Sequence, residues 1–164
     1  MLPILDQLLN SWDRNNTITT NLLRSIPDKA MDLTPADGSS SIARLFTHMD
    51  YVRRIFVYED APEFQREKPT WTAERDRDRL AQMLNGSAKA VRDAVRHRIE
   101  TDGEMQRHYD HPLLMLQHLI WHEGYHHGQI KLTLKLAGQP LADDAIGPLT
   151  WSVWMKKTAG TSVP

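Results

Sequence analysis

A pair of histidines four residues apart is the feature of this sequence with the clearest chemical potential. His122 and His126 stand in the segment HEGYHHGQ, which begins at position 122. Residues four apart on an α-helix lie on one face, with Cβ atoms about 5–6 Å apart. This separation allows two imidazoles to reach one metal ion, at nitrogen–metal distances of about 2.0–2.1 Å. The pair therefore predicts a metal site, although the same spacing also occurs in histidines that only pack in a core.

A mononuclear catalytic metal site has a third protein ligand and one open coordination position. We predict His48 as that ligand, with an aspartate or glutamate as the alternative, because His48 lies on the inner edge of a predicted core helix. His118 is about 12 Å from His126 along a helix axis, so the two cannot bind the same ion together with His122. His118 is expected to support a ligand by a hydrogen bond, to line the pocket or to lie on the polar surface. His127 is turned by about 100° from His126 and is expected to point elsewhere.

The residues from His122 to His126 also match the zincin motif H-E-x-x-H, in which the glutamate is a general base. The extended zincin form is absent, since Gln129 and Leu132 stand where it has glycine and histidine. Zincin sites generally lie beside a β-sheet, and no strand pattern is found here, so a metalloprotease is the weaker alternative. Two interpretations of Glu123 remain open. It is either a residue that orients ligands or moves protons, or a structural charge or hydrogen-bond partner.

The composition restricts the class of protein. A length of 164 residues suits a single domain over positions 1–164. The net charge of −1 creates no field that would attract nucleic acid or an anionic membrane. No apolar run approaches the ~20 residues that span a bilayer. The sequence has no cysteine, which excludes disulfides and thiolate ligands and is compatible with the reducing cytoplasm, the location we expect.

Apolar residues recur at helical spacing in four long segments separated by proline and glycine. We predict helices over residues 4–25, from 39–41 to the loop that begins at Glu59, over 72–99 and over 112–137. Four helices with modest loops predict an all-α four-helix bundle. In the second helix, Arg44 and Arg53 are expected on faces other than the apolar one. Trp12 and Trp71 are expected to be incompletely covered, which is a weak indication of a homodimer.

The histidine pattern resembles that of the DinB/YfiT-like superfamily. That family combines a histidine on its second helix with a later segment commonly written H-E-x-H-H-R-G-Q. Here His48 is followed by His122-Glu123-x-x-His126-x-Gly128-Gln129-Ile130. Helix order and chain length also agree, so the resemblance covers nearly the whole chain. Tyr125 replaces the usual histidine and His127 stands where arginine is common, but neither change removes a presumed ligand.

The resemblance implies that His48, His122 and His126 bind one divalent metal ion, such as zinc or nickel, in a bundle that is often dimeric. Some relatives are transferases or isomerases that use a low-molecular-weight thiol. We therefore expect a metal-dependent hydrolase or thiol transferase acting on a small-molecule substrate, with Gln129 orienting a ligand. A non-catalytic protein that binds a metal or a small ligand is the alternative from another class.

Overall fold

The computed structural model describes residues 4–156, and every regular element in that range is helical. Four long helices form a bundle: α1 (Ile4–Ser25), α2 (Ile42–Asp60), α3 (Arg77–Glu100) and α4 (Pro112–Leu136). Two short helices follow them, α5 (Asp143–Ile146) and α6 (Ser152–Met155). The predicted helical bundle is confirmed, with the two short helices added to the expected four. No helix in the described range is long and apolar enough to cross a membrane.

The beginning of α3 differs from the prediction, which placed it at Thr72. Asp76 caps the helix by accepting a hydrogen bond of 2.8 Å from the backbone N–H of Arg79. The Glu74 carboxylate accepts from the backbone N–H groups of Arg75 and Asp76, at 2.8 and 2.9 Å. Such local bonds between side chain and backbone compete with helix formation. The residues from Thr72 to Asp76 therefore remain outside the helix.

The helix packing places the predicted metal ligands on facing helices. Both α1 and α2 pack against α3 and α4, so α1 and α2 occupy opposite corners of the bundle. The segment between them crosses one end of the bundle, where Met31 is buried and its carbonyl accepts from Ala43 N–H at 2.9 Å. Because α2 lies beside α4, His48 can approach the histidine pair.

The core consists of two apolar clusters, one toward each end of the bundle. One cluster includes Ile26, Phe46, Leu80 and Leu134. The other includes Trp12, Val57, Val91 and Leu119. Between them lie buried polar side chains from α1, α2 and α4, which we call the polar layer: Asn15, Thr19, Arg53 and Glu123. The three helices thus bury polar groups at a common level.

Two sequence-based expectations about exposure are wrong. Trp12 is fully buried, and its indole N–H donates a hydrogen bond of 2.9 Å to the carbonyl of Ala88. It therefore offers no surface for a second subunit, whereas Trp71 is 37% exposed. Arg53, expected away from the apolar face, is also fully buried, because an acidic partner on α4 compensates its charge.

Candidate metal centre

The three predicted ligands come together between α2 and α4. The Nε2 atom of His122 lies 3.2 Å from Nε2 of His48 and 3.0 Å from Nε2 of His126. The ring centroids are 4.4 to 5.1 Å apart, and one ligand atom from each residue lies within 4.8 Å of the others. We call this group the three-histidine cluster. Among residues 4–156, no other set of three potential ligands is gathered in this way.

The cluster has the dimensions of a metal site. Nitrogen–metal bonds of about 2.0–2.1 Å in tetrahedral geometry place two ligand nitrogens roughly 3.3–3.4 Å apart. The two Nε2 separations of 3.0 and 3.2 Å are close to this value. Three imidazoles are a ligand set found in catalytic zinc sites, where the fourth position stays open. The residues present therefore fit a divalent metal ion.

The electrostatics of the cluster favour neutral rings. Burial lowers the pKa of His48 and that of His126 below the usual histidine range. Burial, together with the neighbouring histidines, lowers the pKa of His122 to about 4. A neutral imidazole has a lone pair on one ring nitrogen, and this is the form that binds metals. At neutral pH the rings are therefore in the state that coordination requires.

Gln129 fixes the tautomer of one ring. Nδ1 of His126 lies 2.7 Å from Oε1 of Gln129, whose amide N–H donates to the hydroxyl of Tyr125 at 3.1 Å. A carbonyl oxygen only accepts, so Nδ1 carries the proton and the lone pair is on Nε2, toward the cluster. This geometry supports the predicted role of Gln129 in orienting a ligand. Nδ1 of His122 is buried and has no hydrogen-bond partner among the described residues.

Glu123 faces the polar layer. Its carboxylate accepts from Nε and Nη2 of Arg53, at 2.6 and 2.7 Å, and from Asn15 and Thr19, at 2.8 and 3.1 Å. Burial alone would raise the pKa of Glu123, but its polar neighbours, the Arg53 guanidinium foremost, together lower that pKa below the usual range. These contacts match the charge-partner interpretation. Because both oxygens are engaged and residues 4–156 contain no strand, the zincin arrangement is not formed.

The other histidines near the pair lie outside the cluster. Nε2 of His127 is 3.0 Å from the Thr19 hydroxyl, and burial lowers the pKa of His127 to about 4. Nδ1 of His118 is 2.8 Å from the hydroxyl of Tyr109, and the His118 ring centroid is 6.4 Å from that of His122. Both positions agree with the predictions that these residues are not ligands.

A cavity of about 540 Å³ opens beside the cluster. Its lining includes His48, His126, Gln129, Tyr125, Arg44 and Trp71. The sequence predictions missed Arg44 and Trp71 as pocket residues. For Arg44 a signal existed, because it precedes His48 by four residues and therefore shares its helix face. Trp71 lies in a connection without helical periodicity, which gives no indication of where its side chain points.

One comparison with known proteins identifies a family for this chain. The DinB family profile matches residues 1–152, which is nearly the whole chain and includes all three members of the cluster. Searches of curated proteins and of solved structures returned no match. The helical bundle and the extent of the family match lead to one conclusion: the chain belongs to the DinB family.

Proposed function

We propose that this protein binds one divalent metal ion, zinc or nickel, through the three-histidine cluster and is a metal-dependent hydrolase or thiol transferase. The observation that supports this proposal is the convergence of three neutral imidazoles beside a cavity of about 540 Å³. A bound metal would act as a Lewis acid and lower the pKa of a water molecule or a low-molecular-weight thiol. The cavity provides room for a small-molecule substrate.

The surrounding residues suit an accessible site. Among residues 4–156, no carboxylate joins the cluster as a fourth ligand, and the sequence has no cysteine to do so. Structural zinc sites are normally closed by four protein ligands, whereas catalytic sites keep one position open. His126 holds its proton on Nδ1 through Gln129, which leaves Nε2 free to coordinate. His48 and His126 line the cavity directly.

Metal binding is tested with one ligand variant and one matched control. His126→Ala is expected to lose tight binding of zinc or nickel in calorimetric titrations, since it removes one of three ligands. His118→Ala changes an exposed histidine of the same helix and is expected to bind as the wild type does. Circular dichroism should show unchanged helicity in both. Wild-type affinity in His126→Ala would contradict the proposed site.

Catalysis requires a separate test on the metal-loaded protein. A screen of thiol-transfer and hydrolysis reactions should show turnover that is lost on metal removal and in His126→Ala. An experimental structure that shows a fourth protein side chain on the metal, with no accessible position, would contradict catalysis. That result would favour the alternative, a protein that binds a metal without catalysis.

We also propose that the protein forms a homodimer through α4. Exposed residues of this helix follow one another at alternating intervals of four and three residues: Leu114, His118, Trp121, Tyr125, Gly128 and Leu132. We call this row the α4 seam. Such spacing is typical of the contact line between two packed helices. At Gly128 an added Cβ would meet no atom within 4 Å, so the backbone there is open to close approach.

The dimer is tested by light scattering at micromolar concentration. Trp121→Asp places a charge in the α4 seam and is expected to yield monomers. Met155→Asp changes a residue outside the seam, and because both side chains are 69% exposed it is a matched control that should remain dimeric. A wild-type protein that is only monomeric under these conditions would contradict the proposal.

A further inference from the structure

We propose that the substrate or co-substrate of this site carries an anionic group, and that Arg44 binds this group at the cavity wall. In the thiol-transferase form of the proposed function, the ligand is a small thiol that bears a carboxylate. The inference rests on the proposed metal function of the three-histidine cluster. It assigns to Arg44 a role in choosing the ligand, separate from the residues that hold the metal.

The charge distribution of the cavity supports this assignment. Arg44 lines the cavity, and the cavity lining contains no aspartate or glutamate. Within residues 4–156, no carboxylate forms an ion pair with the Arg44 guanidinium, whereas Arg54, Arg75 and Arg77 each have one. Guanidinium groups bind carboxylates through paired, charge-assisted hydrogen bonds. Arg44 therefore offers a cationic group whose hydrogen-bond donors are available to a ligand.

The Arg44 side chain is held in place before any ligand binds. Its guanidinium carbon lies over the Trp71 ring, 4.4 Å from the ring centroid, in a cation–π contact. The segment that carries Trp71 is fixed to α2 by the Glu74 backbone N–H, which donates to the Thr47 hydroxyl at 3.1 Å. A side chain that is already ordered loses less conformational entropy on binding. This arrangement is suited to recognition of a charged group.

The position of Arg44 sets the spacing of the ligand. Arg44 and His48 are separated by one turn of α2, which is about 6 Å along the helix axis. Tyr125 and Gln129 of α4 also line the cavity. A ligand with its sulfur at the cluster would thus extend its carboxylate along α2 by roughly one turn, within reach of a long arginine side chain.

The test compares three thiols of similar size and different charge. The probes are 3-mercaptopropionate, 2-mercaptoethanol and cysteamine, titrated into the cobalt-loaded protein and followed by sulfur-to-cobalt absorption. We expect the wild type to bind 3-mercaptopropionate about tenfold more tightly than 2-mercaptoethanol, the effect of one charge-assisted contact. Cysteamine carries a positive charge in place of the carboxylate. Once differences in thiol pKa among the three probes are taken into account, it should bind least tightly. Intrinsic differences between the thiols cancel when the same ratio is compared between protein variants.

Two variants assign the preference to one residue. Arg44→Gln should lose most of the tenfold ratio and retain its cobalt spectrum and helicity. Arg66→Gln, at an exposed position outside the cavity, should keep the wild-type ratio. If Arg44→Gln binds cobalt and keeps the full ratio, the anion site is wrong, while the metal function stands.

A second measurement does not depend on the metal. Sodium propionate is titrated into the metal-free protein, and the arginine Nε–H signals are followed by NMR. We expect a saturable shift of the Arg44 signal and no comparable shift for Arg66. No shift at Arg44 would overturn the anion site. Failure of cobalt to bind the wild type would instead overturn the metal function, so the two failures are distinguishable.

Discussion

The interface between α2 and α4 contains two polar regions of opposite character. In the polar layer, Glu123 accepts hydrogen bonds from Arg53, Asn15 and Thr19, so a buried negative charge meets a buried positive one. In the three-histidine cluster, nitrogen atoms approach to 3.0 Å, and no charged side chain of the described residues joins them. In the polar layer the protein itself supplies the opposite charge. In the three-histidine cluster the imidazole nitrogens offer lone pairs that suit an added cation.

This difference separates a structural element from a binding site. A buried ion pair is destabilising to break, because the remaining charge has no partner in a medium of low polarity. Neutral imidazoles carry no such charge, and burial keeps them neutral by lowering the pKa of each ring. Substitutions in the two regions should therefore affect different properties: folding stability in the polar layer and metal affinity in the cluster.

The largest expected effect comes from breaking the ion pair. Glu123→Gln leaves Arg53 charged and buried without a counter-charge, and should lower the free energy of unfolding by about 3–5 kcal/mol. The double variant Glu123→Leu with Arg53→Met removes both charges and should recover most of this loss. Urea denaturation measures both. If Glu123→Gln were as stable as the wild type, the ion pair between Arg53 and Glu123 would not contribute to folding stability as stated.

A smaller effect, on metal affinity alone, is expected at Gln129. Gln129→Leu removes the acceptor for Nδ1 of His126 and should weaken zinc binding roughly 10–100-fold, the range seen for partners of metal-bound histidines. The free energy of unfolding without metal should change by less than about 1 kcal/mol. Gln117→Leu, at an exposed position of the same helix, is the control. Equal zinc affinity in Gln129→Leu and Gln117→Leu would contradict a role of Gln129 in orienting His126.

The smallest effect concerns pH. In the metal-free protein, burial lowers the pKa of His122 and His127 to about 4, below the unfolded value near 6.5. The unfolded chain therefore binds more protons between pH 6.5 and 4, and stability falls as the pH falls through this range. From pH 7 to 6 the loss is roughly 0.7 kcal/mol per histidine. His127→Gln should reduce this loss in urea denaturation. An unchanged dependence of stability on pH would count against a neutral His127 in the folded protein.

The sequence predicted the features that depend on local spacing. The end of α1 at Ser25 and the proline start of α4 follow from apolar periodicity and helix breakers, and both are confirmed. The placement of His48 beside the pair followed from its position at the edge of an apolar stripe and from the family resemblance. These features need information from only a few neighbouring positions, or from one known pattern.

The features that were missed depend on partners distant in the sequence. Arg53 and Glu123 are 70 residues apart, and helical periodicity assigned Arg53 to a polar face because it cannot show a buried counter-charge. Trp12 is covered by α3, which begins far along the chain. Such contacts between helices arise only when the helices pack. The late start of α3 is the exception among the missed features, because it depends on local hydrogen bonds of Glu74 and Asp76 that apolar periodicity alone does not reveal.

The polar layer also determines the register of the helices. Apolar helix faces pack at several axial offsets with similar energy, whereas the pairing of Arg53 with Glu123 is satisfied at one offset only. A slip of α4 by one turn would move its residues by about 5.4 Å, far more than the length of a nitrogen–metal bond. Inserting or deleting one residue of α4 between Leu119 and Glu123 would rotate the Leu119 side chain by about 100° around the helix axis relative to the Glu123 side chain. The axial position of His122 and His126 relative to His48 is thus fixed by an ion pair that belongs to neither the cluster nor the cavity.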